Sequence, residues 1–445
     1  MRKHLNARVA VIGAGIAGLS AGYQLKKSGL SPVIYEAESF VGGRMSSETV
    51  DGFLLEKAAY TFPEFHKNIS KLLDTLGMSK TLIPTSGTSS TFAKGSEYQI
   101  KIGSPTDFLR YKLLSLKNKK DMIQIFLYAQ SLGAALDLAN PNGTTFELER
   151  ETAADYILRA YDSQILEYVA WPIFCEIFLG RPEDNSKASF LATLKNLTRF
   201  KIFSFNRGMG LLPERLKNEL DVRLNSPVEK ILPTLDDGPV TVEVGGKNPR
   251  SMKFDAVIIA VPIPLVPDIL DGMSSTSAKL CRSVTYSHSL VVALAMDKPF
   301  PETTMINNLC RDTFHVLGTL VFDHHKGADR MPRDKGLITA ILTDKASRRL
   351  FDASVEQVTR EVLQEVDSLF PHSSDKLLFS RVYRWRYGGV QLPPGALRMH
   401  YDLRATLIRE YDRIAFAGDG LYKASLELSF NSGIDAANHI TANMG

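Results

Sequence analysis

The apolar positions fall into two kinds of repeat. Arg8–Ile12 is a short β-branched run with no polar interruption after Arg8, the mark of a strand buried on both faces. Glycines follow at once in "VIGAGIAGLSAG". "LSAGYQLKKSG" then reads as a helix ending at Gly29, and "PVIYEA" as the next strand. The order is a complete strand–helix–strand unit. Further along, "HSLVVALAMD", "FHVLGTLVFD", "GLITAILTD" and "LLFSRVYRW" read as strands. Ser354–Leu369 reads as a helix with Val355, Val358, Val362, Val366 and Leu369 on one face. Residues 81–199 are mostly helical by pattern. The most apolar window, Met122–Ala139, contains Gln124, Gln130 and Asp137, so it predicts no spanning helix. It follows a basic stretch, "RYKLLSLKNKK". A buried amphipathic helix is the preferred reading, ahead of a helix lying on a membrane surface.

The glycine turn carries the first chemistry. Gly13 permits the tight turn, Gly15 lets backbone approach a pyrophosphate, and Gly18 lets helix and strand pack closely. Ile16 and Ala17 open the helix, whose N-terminal N–H groups and dipole suit phosphate. Glu36, followed by Ala37, ends the second strand, where a carboxylate accepts from ribose hydroxyls. An acidic residue there disfavours a 2′-phosphate, so NADP is not expected.

At 445 residues the chain is too long for one ordinary core, and two or three domains are expected. A net charge of +4, with no basic stripe, gives no nucleic-acid footprint. Cys175, Cys281 and Cys310 are scattered without a CxxC, which argues against a disulfide framework or cysteine zinc site and fits a reducing compartment. The basic start runs straight into the first strand without a cleavage pattern, so a cytoplasmic location is expected. The nine histidines form no HExxH, and His324–His325 read as solvated loop; no metal is expected.

"VGGRM", Val41–Met45, decides which dinucleotide. A glycine doublet and arginine just after the second strand resemble the second FAD signature of the flavin amine oxidase superfamily, which includes monoamine and polyamine oxidases, protoporphyrinogen oxidases and phytoene desaturases. Later segments resemble the same family in the same order: "DVRLNSPVEKI" with "FDAVIIAVP", the C-terminal "RIAFAGDG", and "SFNSGIDAANHI". The resemblance implies an α/β fold: a discontinuous Rossmann-like FAD-binding domain (1–80, 200–265, 405–445), a mainly helical insertion (81–199), and a substrate-binding sheet with helices (266–404). It implies non-covalent FAD held by Gly13, Gly15, Ile16, Ala17, Gly18, Glu36, Ala37, Gly42, Gly43, Arg44, Val228, Gly418, Asp419, Ser425 and Leu426. Arg44 would offset pyrophosphate charge, Val228 would touch adenine through its backbone, and Asp419 would stand where the family binds the ribityl or phosphate region.

The resemblance also implies the reaction. FAD carries the redox chemistry, and the protein positions a substrate C–H bond. Expected pocket residues are Tyr60 in "EKAAYTFP" and Tyr387 and Gln391 in "YRWRYGGVQLPPG", with Trp385 read mainly as packing. Departures stand beside these matches. Lys57 and Ala58 replace frequent glycines, Val291 falls where many amine oxidases have a lysine, and Ser425 falls where they have an aromatic. No cysteine precedes the Pro-Pro-Gly, hence non-covalent flavin. The expected function is oxidation of a C–N or C–C bond of a small organic molecule, with oxygen or another electron acceptor. The alternatives are a protoporphyrinogen-oxidase-like or desaturase-like enzyme on a large apolar substrate, and a non-redox use of FAD.

Overall fold

A computed structural model describes residues 7–64, 66–85, 87–197, 201–234, 238–301 and 304–444, except the side chain of residue 328. The chain divides into two compact units, one made of residues 1–46, 209–285 and 398–445, the other of residues 47–208 and 286–397.

The first unit is built on β1 (Arg8–Ile12), α1 (Ile16–Lys27) and β2 (Ser31–Tyr35). Five parallel strands lie in the order Asp221–Arg223, β2, β1, Ala256–Ile259, Ile414–Phe416. β1 and Ala256–Ile259 are central and buried along almost their whole length, which explains their unbroken apolar runs. The C-terminal helix Leu426–Asn443 lies against α1. A Cβ on Gly433 would sit 2.1 Å from the Ala17 carbonyl oxygen, so only glycine allows this approach. Ser20 Oγ donates to the Phe430 carbonyl at 2.8 Å and fixes the crossing. A three-stranded antiparallel sheet, Val228–Leu232, Val240–Val244 and Arg250–Phe254, completes this unit.

The second unit holds a seven-stranded sheet in the order Leu377–Trp385, Ser289–Met296, Gly336–Leu342, Leu317–Phe322, Ile306–Leu309, Thr88–Ala93, Ser96–Lys101. Its central strands are buried on both faces. One face carries Leu290, Val292, Leu294 and Met296 against the helix Val355–Leu369, whose Val358, Val362 and Val366 are buried. Val355, expected on that face, is exposed, because Ser354 caps the helix there, accepting from the Gln357 N–H at 3.2 Å. The other face carries Ala293 and Ala295 against Phe53 and Leu55. Helices Leu116–Ser131 and Ala153–Ala160 pack against Lys187–Asn196, while Trp171–Ile177 packs against the sheet strands Leu317–Phe322 and Ile306–Leu309. In the first of these Met122, Ile125 and Ala129 are buried and Ile123 and Leu127 exposed. No helix among the described residues is long and apolar enough to cross a membrane.

The unit boundaries depart from the expected ones. Residues 47–80 belong to the second unit, because the hairpin Ser47–Val50/Phe53–Glu56 buries Phe53 and Leu55 in its core. Residues 202–205 likewise form a strand there, paired with Phe62–Pro63 and Leu82–Pro84. Residues 266–285 belong to the first unit, where Ser277 Oγ donates to Glu410 Oε2 at 2.6 Å. The segment read as mainly helical opens with two strands, Thr88–Ala93 and Ser96–Lys101, whose serines and threonines give no apolar signal.

Candidate functional site

In the first unit the polypeptide turns sharply after β1. Gly13 takes φ +99°, and its N–H donates to the Tyr35 carbonyl at 2.7 Å. A Cβ at Gly13 would lie 2.8 Å from the Ala260 carbonyl oxygen, and one at Gly18 only 1.9 Å from the Gly13 carbonyl oxygen. Both glycines are required by the protein's own packing. Gly15 differs. Its φ of −67° suits any residue, and a Cβ there would meet no heavy atom within 4 Å. The space in front of Gly15 is left open beside the first turn of α1, where Ile16 and Ala17 lie.

Glu36 closes the other side of the turn. Its Oε2 accepts from the Ala14 N–H at 2.6 Å and its Oε1 from the Glu38 N–H at 3.0 Å. Burial raises its pKa, against the lowering effect of these backbone donors. Two carboxylate oxygens offer about four acceptor positions, so lone pairs remain for hydroxyl donors. The Ser226 N–H donates to the Glu36 carbonyl at 2.8 Å, placing Val228, the first residue of its strand, near this end of β2. Gly42 donates to the Ala14 carbonyl at 2.8 Å, drawing the Gly42–Gly43–Arg44 segment against the glycine turn.

Arg44 and Asp419, 375 positions apart, meet in an ion pair of 2.7 Å, with the Asp419 side chain only 6% exposed. Gly418, at φ +128°, donates to Ser432 Oγ at 2.8 Å, which ties the turn to the C-terminal helix. Ser425 caps that helix and Leu426 begins it. The structure thus brings the expected cofactor residues of the two chain ends together. An open cradle at Gly15, an acidic acceptor at Glu36 and a cation at Arg44 fit a dinucleotide with a pyrophosphate and an unphosphorylated ribose. His400 was not legible as a site residue, since a lone histidine carries no pattern. It is buried, its Nδ1 lies 3.1 Å from the Tyr422 carbonyl, and its Nε2 has no partner among the described residues. Burial lowers its pKa.

In the second unit Tyr60 is buried and its hydroxyl donates to Glu176 Oε1 at 3.2 Å. Gln391 is spent structurally: its Nε2 donates to the carbonyls of Phe178 and Gly389 at 2.8 and 3.0 Å, and its Oε1 accepts from Asn185 Nδ2 at 2.8 Å. Tyr387 is half-buried, edge-on to Tyr286 at 5.4 Å between ring centres. Trp385 Nε1 donates to the Lys57 carbonyl at 2.9 Å, a packing role, and Lys57 Nζ lies 3.5 Å from Glu48. Val291 is buried in the strand Ser289–Met296, opposite Ile341 and Tyr383. A neutral charge cluster lies fully buried in the same unit. Arg330 Nη1 meets Glu56 at 2.5 Å, Lys326 Nζ meets Asp323 at 2.7 Å, and Thr339 Oγ1 donates to Asp323 at 2.7 Å. The rings of His324 and His325 lie 4.2 Å apart, and the described residues contain no group of three metal-ligating side chains.

Residues 16–441 match the sequence model of a family described as flavin containing amine oxidoreductase. The mitochondrial protoporphyrinogen oxidase of Nicotiana tabacum is 28% identical over 437 residues, covering 86% of this chain and 84% of its own length. The L-amino-acid oxidase of Mus musculus is 24% identical, covering 98% of this chain and 71% of its own. Among solved structures, wild-type putrescine oxidase bound to putrescine superposes with a TM-score of 0.77 at 19% identity, over 98% of this chain and 99% of that one. The shared feature at that distance is the fold.

Proposed function

We propose, for a chain that belongs to the flavin-containing amine oxidoreductase family, the oxidation of a C–N or C–C bond of a small organic substrate. The enzyme is a FAD-dependent oxidoreductase. The open backbone at Gly15, between the Glu36 carboxylate and the Arg44–Asp419 pair, carries the assignment of the cofactor site. Glu36 would hold the adenine-side ribose, with Ala37 and Val228 beside it. Gly15 and the first N–H groups of α1 would hold the pyrophosphate. Gly43, Arg44, Gly418, Asp419, Ser425 and Leu426 would hold the flavin side. When bound, FAD supplies the acceptor for two electrons and a proton taken as hydride.

The protein's own contribution is placement. Holding the donor carbon close and aligned is worth several kcal/mol of barrier, on the order of 7–11 at best. Tyr60 and Tyr387 are the substrate-facing residues we assign; Gln391, committed to its own backbone, drops from that role. A second reading, a large apolar substrate, is favoured by the buried Val291 in place of a cation and by the helices of residues 116–196. Anaerobic mixing of the yellow protein with amines, amino acids and porphyrinogens tests the two. Bleaching by one class identifies it, and hydrogen peroxide on readmitting air marks an oxidase. A protein that takes up no FAD would remove the reading.

A further inference from the structure

The seven-stranded sheet of the second unit has two edges, and they are guarded differently. The strand Ser96–Lys101 presents Ser96, Glu97, Gln99 and Lys101, the polar and charged composition that keeps an edge solvated. The opposite edge, Leu377–Trp385, carries Leu377, Leu378, Phe379 and Val382, and Leu378 is exposed. One of its two arginines is turned away from it: Arg384 donates to the carbonyls of Phe351 and Ala353 at 2.9 and 2.7 Å. An edge strand leaves every second N–H and C=O without a ladder partner, a template that another strand completes.

A groove of about 540 Å³ lies along this edge, walled by the helix Val355–Leu369. Glu356, Arg360, Leu363 and Asp367 recur once per turn along that wall, about 4.5–6 Å apart. Side chains on one face of a strand are about 6.6–6.8 Å apart, so a strand added to the edge sets roughly one side chain against each turn. The hydroxyls of Thr359 and Ser380 meet at 2.8 Å on the groove floor, which puts Arg360 and Arg381 at the same level along it. Ser380 lies opposite Leu294, on the helix side of the sheet, and Arg381 opposite Ala293, on the other side. Neither arginine has a carboxylate partner among the described residues. Glu361 is taken by Arg349 at 2.5 Å, and Arg381 reaches only the Ser380 carbonyl, at 3.3 Å. The carboxylates of the wall, Glu356 and Asp367, stand towards its two ends.

We propose that this groove docks an extended segment of a partner protein, which adds to the sheet beside Leu377–Trp385 and carries two adjacent carboxylates at its centre. Neighbouring residues of a strand point to opposite faces, so one carboxylate meets Arg360 and the next meets Arg381. Apolar residues on either side of the acidic pair cover Leu363, Leu377 and Leu378, while further acidic residues there would face Glu356 or Asp367. The docking is independent of the oxidoreductase reading. A second copy of the chain suits the edge less well: antiparallel self-pairing about the middle of Leu377–Trp385 sets Arg381 against Arg381.

The probe is the fluorescein-labelled peptide Val-Thr-Val-Glu-Glu-Val-Thr-Val, followed by fluorescence anisotropy on the full chain with FAD added. It should bind saturably, and its Lys-Lys counterpart at least about tenfold more weakly. In the double variant Arg360→Glu, Arg381→Glu that order should reverse. Both positions are exposed, so the variant should keep the wild-type melting temperature. N-methylation of alternate peptide residues separates strand addition from charge attraction. The methyl set that faces the sheet edge should abolish binding, and the set that faces outward should leave it within about twofold. Absence of saturable binding, equal binding of the two methylated peptides, or an order that the double variant does not reverse overturns the proposal. So does a chain that sediments as a dimer and returns to monomer on Leu378→Lys, since a second copy then fills the edge.

Discussion

Replacing Gly15 by alanine separates ligand recognition from folding. At φ −67° and ψ 174° the backbone is open to any L-residue, and the new Cβ meets no protein atom within 4 Å. The fold should lose nothing, and a reduced unfolded-state entropy would add about 0.4–1 kcal/mol. The pyrophosphate, however, would meet that methyl group. A tenfold to hundredfold loss of FAD affinity corresponds to about 1.4–2.8 kcal/mol. With free FAD at about 100 times the wild-type dissociation constant, binding stabilises the native state by about 2.7 kcal/mol. In the variant this shrinks to about 1.4 or about 0.4 kcal/mol for the same two losses. Urea unfolding of apoprotein with and without FAD reads both quantities. Gly18→Ala is the comparison, since its Cβ would lie 1.9 Å from the Gly13 carbonyl oxygen and must disrupt the apoprotein itself. The reasoning fails if apo Gly15→Ala is destabilised by more than about 1 kcal/mol, or if it keeps the full FAD stabilisation.

Glu36→Gln should weaken FAD by about 1–3 kcal/mol, the range for losing charge-assisted bonds, measured as a dissociation constant by flavin fluorescence. Glu56→Gln leaves Arg330 buried without its carboxylate and should cost about 3–5 kcal/mol in urea unfolding; a loss under 1 would remove the cluster's structural role. Glu176 has the opposite sign. Burial holds its native pKa above the unfolded value of 4.5, so its contribution is most favourable at low pH and worsens as pH rises from about 4.5 through about 7. Glu176→Gln should therefore melt higher than wild type at pH 8, by up to about 3 kcal/mol of stability, with the gap closing towards pH 5. Heat denaturation should release intact FAD into solution, and colour retained by the precipitated chain would refute non-covalent binding.

Short-range chemistry makes the glycine turn legible. Gly13, Gly18 and Glu36 lie within one strand–helix–strand unit, so their close approaches and the Glu36–Ala14 hydrogen bond follow from spacing. Arg44 and Asp419 were each legible from a local motif, but their 2.7 Å pairing depends on Ile414–Phe416 adding to the same sheet as β1, which no local pattern encodes. The domain edges were misplaced because Phe53 and Leu55 look like any strand until their partners, Ala293 and Ala295, are known. Gln391 was read as a pocket residue from its place before Pro-Pro-Gly, yet its amide is consumed by Phe178, Gly389 and Asn185. Glu176 had a faint signal, as the one charge between Tyr168 and Gly180. Its weight comes from Tyr60, 116 positions away, and from burial that only the fold creates.

A crystal structure of the FAD-loaded protein tests the central claim most directly. The account predicts ribose hydroxyls within hydrogen-bonding distance of the Glu36 carboxylate and the pyrophosphate in van der Waals contact with the Gly15 backbone. FAD seated elsewhere, with Gly15 and Glu36 facing solvent, would contradict it.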